Sequence, residues 1–141
     1  MDKEIKFRLR INNKIVGYEK WYSGHNTETD PCSANPCWLY SKDGRYWNPK
    51  YIYHKQKDQF TGLKDKNGKE IYKSDYVFIE DFYIGDKIQI GGKCEVKWNE
   101  DGFSLFIEDE YICGLWDAVN NYSGEIIGNI YENPELLKAG E

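Results

Sequence analysis

The sequence predicts a mainly β fold with short helices, built as a small barrel or curled sheet. Three observations carry this. Short segments alternate apolar and polar residues with a period of two, as half-buried strands do. Turn-forming pairs such as Asn67-Gly68 and Asp101-Gly102 punctuate them at close intervals. Helical periodicity occurs only over two brief stretches, which favours a β architecture with helical trimmings.

The elements follow in order. Glu4 to Arg10 places Ile5, Phe7 and Leu9 on one face and Lys6, Arg8 and Arg10 on the other, so a strand with a solvated basic face is expected. Ile15 to Tyr18 continues it after an Asn12-Asn13 turn. Residues 22–50 are rich in Ser, Asn, Asp, Pro and Gly and read as an irregular excursion, although Trp38, Tyr40, Tyr46 and Trp47 require part of it to pack. Tyr51 to His54 reads as a short strand. Gln59 to Tyr72 reads as a hairpin turning at Asn67-Gly68, where both positions tolerate φ > 0.

Tyr76 to Ile79 is a buried strand, and Ile88 and Ile90 alternate again. Cys94, Val96 and Trp98, then Phe103, Leu105 and Ile107, form the best hairpin, turning at Asp101-Gly102. Ile112, Leu115, Trp116 and Val119 have helical spacing behind the acids of Glu108, Asp109 and Glu110, so a helix over 108–119 is expected. Gly114 weakens it by about 1 kcal/mol. Glu125 to Tyr131 is a final strand. Asn133-Pro134-Glu135 then supplies a cap, a first-turn proline and an acid for a C-terminal helix of Glu135 to Lys138.

Composition bounds the function. At 141 residues, one domain can bury about two-thirds of its unfolded surface, so neither metal nor disulfide is needed for a core. No apolar run approaches the ~20 residues of a membrane span. The opening Met1 to Arg10 lacks the continuous apolar stretch of a secretion signal, and the chain reads as cytoplasmic. Its cysteines, Cys32, Cys37, Cys94 and Cys113, then read as reduced thiols, the last two in core positions. The net charge of -5 is divided: residues 1–74 carry 15 basic and 9 acidic side chains, and residues 75–141 carry 4 and 15.

Candidate chemistry is sparse. Cys32 and Cys37 have a spacing that zinc ligands use, with His25 and His54 nearby, but no second ligand pair matches them. Two thiols in a polar loop is the plainer reading, so no metal and no cofactor is expected. The carboxylates fall in turns, where they are solvated, rather than in a cleft that would shift their pKa. No nucleophile elbow and no phosphate loop is present; Ile90-Gly91-Gly92-Lys93 has the wrong spacing. The expectation is a protein that is not an enzyme. Lys and aromatic residues interleave in Tyr51 to Lys57, which suits single-stranded nucleic acid, while the acidic net charge opposes it. Glu80, Asp81, Asp86, Glu100, Asp101, Glu108, Asp109 and Glu110 could form an acidic face that occupies a basic groove on a partner. Ordinary solubility is the plainer account of them.

Two stretches are more specific. Phe60-Thr61-Gly62-Leu63-Lys64-Asp65 with Asn67-Gly68-Lys69-Glu70-Ile71-Tyr72, and Ile126-Ile127-Gly128-Asn129-Ile130-Tyr131-Glu132-Asn133-Pro134-Glu135-Leu136-Leu137, resemble the signature of the YopX-like proteins. The opening Glu4-Ile5-Lys6-Phe7-Arg8 resembles that family's start. The resemblance implies one YopX-like domain over 1–141, an SH3-like barrel and an origin in a phage or prophage of a bacterial host. It carries over no catalytic residue. The family commonly has Glu-Gly-Asp where this chain has Lys73-Ser74-Asp75, and Ser tolerates a left-handed turn less well than Gly.

The expected function is therefore that of a phage accessory protein acting by protein binding. The target would be a host or phage protein, including a nucleic-acid-binding defence enzyme such as a CRISPR effector, met through the acidic residues. The alternative is a nucleic-acid-binding or regulatory module using the basic, aromatic first half. Self-association stays open.

Overall fold

The structure, a computed structural model, describes residues 4–23, 36–100 and 102–136. It divides into two compact units, Met1–Gln59 and Phe60–Glu141. Both are mainly β, as expected.

The first unit is an antiparallel sheet. β1 (Lys6–Ile11) and β2 (Lys14–Tyr22) are joined by a tight turn in which Asn12 takes φ +57°, and β3 (Cys37–Ser41) adds to the far edge of β2. The first half of β4 (Gln56–Lys64) pairs with the other edge of β1, Phe7 facing Gln59 and Arg10 facing Gln56. The described part of 22–50 is thus less irregular than its composition suggests, and residues 24–35 of that excursion lie outside the described residues. Tyr22 belongs to β2, and Trp38 and Tyr40 lie on a strand in register with Trp21 and Glu19. Tyr51 to His54 is an unpaired connection rather than a strand.

The basic face of β1 corrects the expectation most. Lys6, Arg8 and Arg10 are buried, not solvated. Asp58 on β4 lies directly across from Arg8, and its carboxylate accepts from Arg8 Nε at 3.1 Å and from Arg10 Nε at 3.0 and 3.2 Å. Burying a guanidinium is tolerable only with such a partner. Alternation cannot reveal this, because a buried paired cation and a solvated one look the same in sequence. Lys6 and Lys20 lie over the Trp47 ring, Lys20 Nζ at 4.5 Å from its centroid.

The second unit carries the aliphatic core. The second half of β4 pairs with β5 (Glu70–Tyr72). A five-stranded sheet follows with the order β11-β10-β9-β6-β12, from β6 (Asp75–Ile79), β9 (Gly92–Asn99), β10 (Gly102–Ile107), β11 (Glu110–Gly114) and β12 (Glu125–Asn129). β7 (Phe82–Ile84) and β8 (Lys87–Gln89) form a separate hairpin. Ile71, Val77, Ile79, Val96, Leu105 and Leu115 are almost wholly buried in one cluster. The strand order is open, with β11 and β12 as its edges, so among the described residues the expected barrel is not closed.

Local outcomes differ by small steps. In the hairpin after β4, Gly68 alone is left-handed, because Asp65 closes a longer turn by accepting from the amides of Asn67 and Lys69. The β9–β10 connection is one residue pair shorter than expected from Asn99 to Gly102, since Asn99 already pairs with Gly102. The helix expected over 108–119 is α1, Leu115–Asn121 only. Glu108 takes φ +56° in a turn, Glu110 to Gly114 pair with β10, and extended Gly114 precedes the first helical residue. A helical turn opens at Glu135 and Leu136; the rest of the expected C-terminal helix lies outside the described residues.

Ser74 takes φ +77° and is buried. Its amide donates to the Val96 carbonyl and its own carbonyl accepts from Ile130, so the strained turn links β9 to the chain after β12. Ser here costs about 1 kcal/mol relative to Gly.

Two stability outcomes follow in urea denaturation. Asp58→Asn leaves two buried guanidinium groups without their carboxylate and lowers stability by about 3 kcal/mol. Ser74→Gly raises it by up to about 1 kcal/mol, the gain being trimmed because the Tyr131 hydroxyl no longer meets Ser74 Oγ, 3.3 Å away.

Candidate functional site

The first unit holds a cleft of about 390 Å³ between the turn after β3 and the segment that follows it. The turn is built by side chains. Asp43 Oδ1 accepts from Ser41 Oγ at 3.0 Å, from the Arg45 amide at 2.8 Å and from the Tyr46 amide at 3.2 Å, and Ser41 Oγ accepts from the Gly44 amide at 2.8 Å. These backbone donors hold the Asp43 carboxyl below its ordinary pKa. The loop is clipped at its base, where Tyr40 and Asn48 exchange both backbone hydrogen bonds. Such a turn is formed before any ligand arrives.

Tyr40 floors the cleft. Burial, followed by the Glu19 carboxylate that accepts its hydroxyl, pushes its pKa up to about 12. Glu19 is buried and pairs with Lys57 Nζ at 2.7 Å. The Tyr51 ring stands edge-on to Tyr40, centroids 5.2 Å apart at 70°. Ile52 packs so closely on Gly17 that a Cβ there would lie 2.8 Å from Ile52 Cδ1 and from the Ser41 carbonyl, which is why β2 has glycine at this point. Tyr46 and Tyr51, 79% and 58% exposed, complete the wall, and the exposed Lys42 and Lys50 line it too. Rings left in water contribute little to a core; here they present stacking surface instead.

The charge division follows the two units. Met1–Gln59 has 11 basic and 7 acidic side chains, net +4, and Phe60–Glu141 has 8 and 17, net -9. Among the described residues of the first unit, the exposed cations are Lys14, Lys42, Arg45, Lys50, Lys55 and Lys57, and the exposed acids are Glu4 and Asp43.

The acidic candidates all lie in the second unit, and the sheet separates them. β6 runs into Glu80 and Asp81 beside the start of β9, where Ile79 faces Gly92. β10 ends and β11 begins toward that same end, with Ile107 facing Glu110, so Glu108, Asp109 and Glu110 belong there too. Glu100 lies at the opposite end of β10, in the β9–β10 turn, with Asp101 outside the described residues. Asp86 sits in the turn of the β7–β8 hairpin. Asp81 is committed locally, accepting from the Gly91 amide, and Asp109 pairs with Lys97 at 3.7 Å.

The signature residues act on the fold. Asp65 also accepts from the Ile126 amide, tying the hairpin turn to β12. Asp75 accepts from the Tyr72 amide. Asn129 caps the turn after β12 through Tyr131 and Glu132, and Asn133 reaches back to the Asn129 amide. The family model described as YopX protein matches residues 9–138. The chain belongs to the YopX protein family. The crystal structure of protein EF1440 from Enterococcus faecalis is similar to it at 21% identity, covering 94% of this chain and 97% of that one, with a TM-score of 0.51. At that identity the likeness is one of fold. No curated protein matches.

Two further sequence candidates concern the cysteines of this YopX-family chain. Cys32 and His25 lie outside the described residues, Cys37 opens β3, and His54 Nδ1 donates to the Ile52 carbonyl. Among the described residues no three His, Cys, Asp or Glu side chains gather as metal ligands, and no helix is long and apolar enough to cross a membrane. Cys94 and Cys113 are core residues, as their periodic placement suggested. Burial pushes their thiols up to about 12 and about 11.

The raised thiols give a signed prediction. Folding favours the protonated form of both, so their contribution to stability is complete below pH 9 and is lost as pH rises through 11 and 12. At pH 8 the folded chain should leave both unreactive toward iodoacetamide, with labelling appearing only in denaturant. Mass spectrometry of the labelled peptides checks this.

Proposed function

We propose that this protein is a non-enzymatic, phage- or prophage-encoded binding protein whose first unit binds nucleic acid. One observation carries the reading: exposed cations and exposed aromatic rings share one preformed cleft. Backbone phosphates supply affinity through lysines, and bases supply it through stacking, at about 1–3 kcal/mol each. The acidic net charge is a weaker objection than composition alone implies. Screening limits each exposed charge to about 8 Å at physiological salt, so the cleft meets its own lining, Lys42 and Lys50 against the one carboxylate of Asp43, rather than the net charge of the chain.

A second reading has its own observation. Glu80, Asp81, Glu108, Asp109 and Glu110 are exposed at one end of the second unit's sheet. Such an end could enter a basic channel of a host protein, including a defence nuclease, by charge complementarity. Glu100, at the opposite end of β10, is not part of that surface.

Fluorescence anisotropy with labelled oligonucleotides separates the two. The nucleic-acid reading expects affinity that falls steeply with salt. It also expects Lys42→Gln with Lys50→Gln to flatten the dependence, by about 0.7 in slope for each phosphate of a single strand that is no longer neutralised. Charge reversal at Glu108, Asp109 and Glu110 should leave this binding intact. Absence of salt-dependent binding to any nucleic acid removes the reading. Capture of a host nuclease that disappears on the acidic reversal would establish the second.

A further inference from the structure

We propose that the cleft of the first unit takes one unpaired nucleobase, so that the protein selects single-stranded nucleic acid over duplex. This rests on the nucleic-acid reading above and names the ligand of its site.

The cleft has the volume of a small-molecule site, within the usual range of about 300–1,000 Å³. Its apolar surface is three tyrosines with Ile52. Tyr40 and Tyr51 meet edge to face, so a planar ligand cannot lie flat on both; it stacks on one ring and meets the edge of the other. Tyr46 also lines the cleft and is mostly exposed. A flat heteroaromatic ring suits this geometry better than an aliphatic chain does. The exposed Lys42 and Lys50 of the lining then fall where the phosphates of the same strand would pass. The Asp43 carboxylate is spent on the turn's own donors, which moderates its competition with those phosphates.

A base inside a duplex has its faces stacked and its edge paired, and reaching a cleft requires unstacking it. An unpaired base has both free. Single strands therefore bind through ring and lysine together, and duplexes through lysine alone. The Tyr40–Asn48 clip and the Asp43 turn keep the rings in place beforehand, so little ordering opposes binding.

The test uses the full chain and four probes: a thymidine oligonucleotide, its duplex and an abasic strand of the same length, with inorganic phosphate as a control. The single strand should bind about tenfold or more tightly than the duplex and the abasic strand. Tyr51→Ala and Tyr46→Ala should abolish that preference, and Tyr51→Phe, which keeps the ring, should retain it. Circular dichroism identifies any variant that fails to fold, and the Tyr51→Phe comparison stands without it. Equal binding to single strand, duplex and abasic strand overturns the cleft while leaving phosphate binding by the first unit in place. No binding to any strand overturns both.

Discussion

Asp58 is the residue on which the first unit depends. β1 offers three cations on the face opposite Phe7 and Leu9, and that face is buried. A sheet can bury Arg8 and Arg10 only if a carboxylate meets them, and β4 brings Asp58 into register with Arg8. The pairing therefore fixes which strand lies beside β1. It also leaves the opposite face to Leu9, Glu19, Tyr40 and Lys57, where the Glu19 carboxylate joins the Tyr40 hydroxyl to Lys57. Tyr40 is in turn the floor of the cleft. On that face the Lys57–Glu19 pair ties β4 to the hydroxyl of the tyrosine that floors the candidate site.

The two units are stabilised by different physics. The second unit relies on hydrocarbon, with eleven buried residues from Ile71 to Ala118 in one cluster. The first relies on paired charges and cations over rings, such as Lys57 above Phe7 at 4.4 Å and Lys20 above Trp47. This difference accounts for the divided charge of the sequence. The basic residues are partly structural, and of those left on the surface Lys42 and Lys50 line the cleft beside its tyrosines. The signature residues of the YopX family, by contrast, are occupied with turns: Asp65, Asp75, Asn129 and Asn133 satisfy backbone amides that would otherwise be left open.

Much of the fold was legible in the sequence. The alternating strands, the β9–β10 hairpin and the core positions of Cys94 and Cys113 follow from periodicity, which is a local property. What was not legible is what depends on pairing across the sheet. The helix over 108–119 fails because Tyr111 and Cys113 pair with β10 before helical spacing can act. The buried state of Arg8 and Arg10 depends on Asp58, nearly fifty residues away. The cleft was half legible. Trp38, Tyr40 and Tyr46 signalled that the excursion packs, but only the Ser41–Asp43 turn gathers those tyrosines with Lys42 and Lys50. For the acidic residues, their distribution was not legible, since only strand pairing shows that Glu100 and Glu108 flank opposite ends of β10.

In the proposed function the cleft of the first unit is the surface through which this protein binds. An amide NMR titration of the full chain with a single-stranded oligonucleotide tests it most directly. Shifts should concentrate between Tyr40 and Ile52, with the Arg45 and Tyr46 amides, both held by Asp43, among the largest. Shifts confined to the second unit, or none at millimolar oligonucleotide, roughly the weakest end of useful affinity, would contradict it.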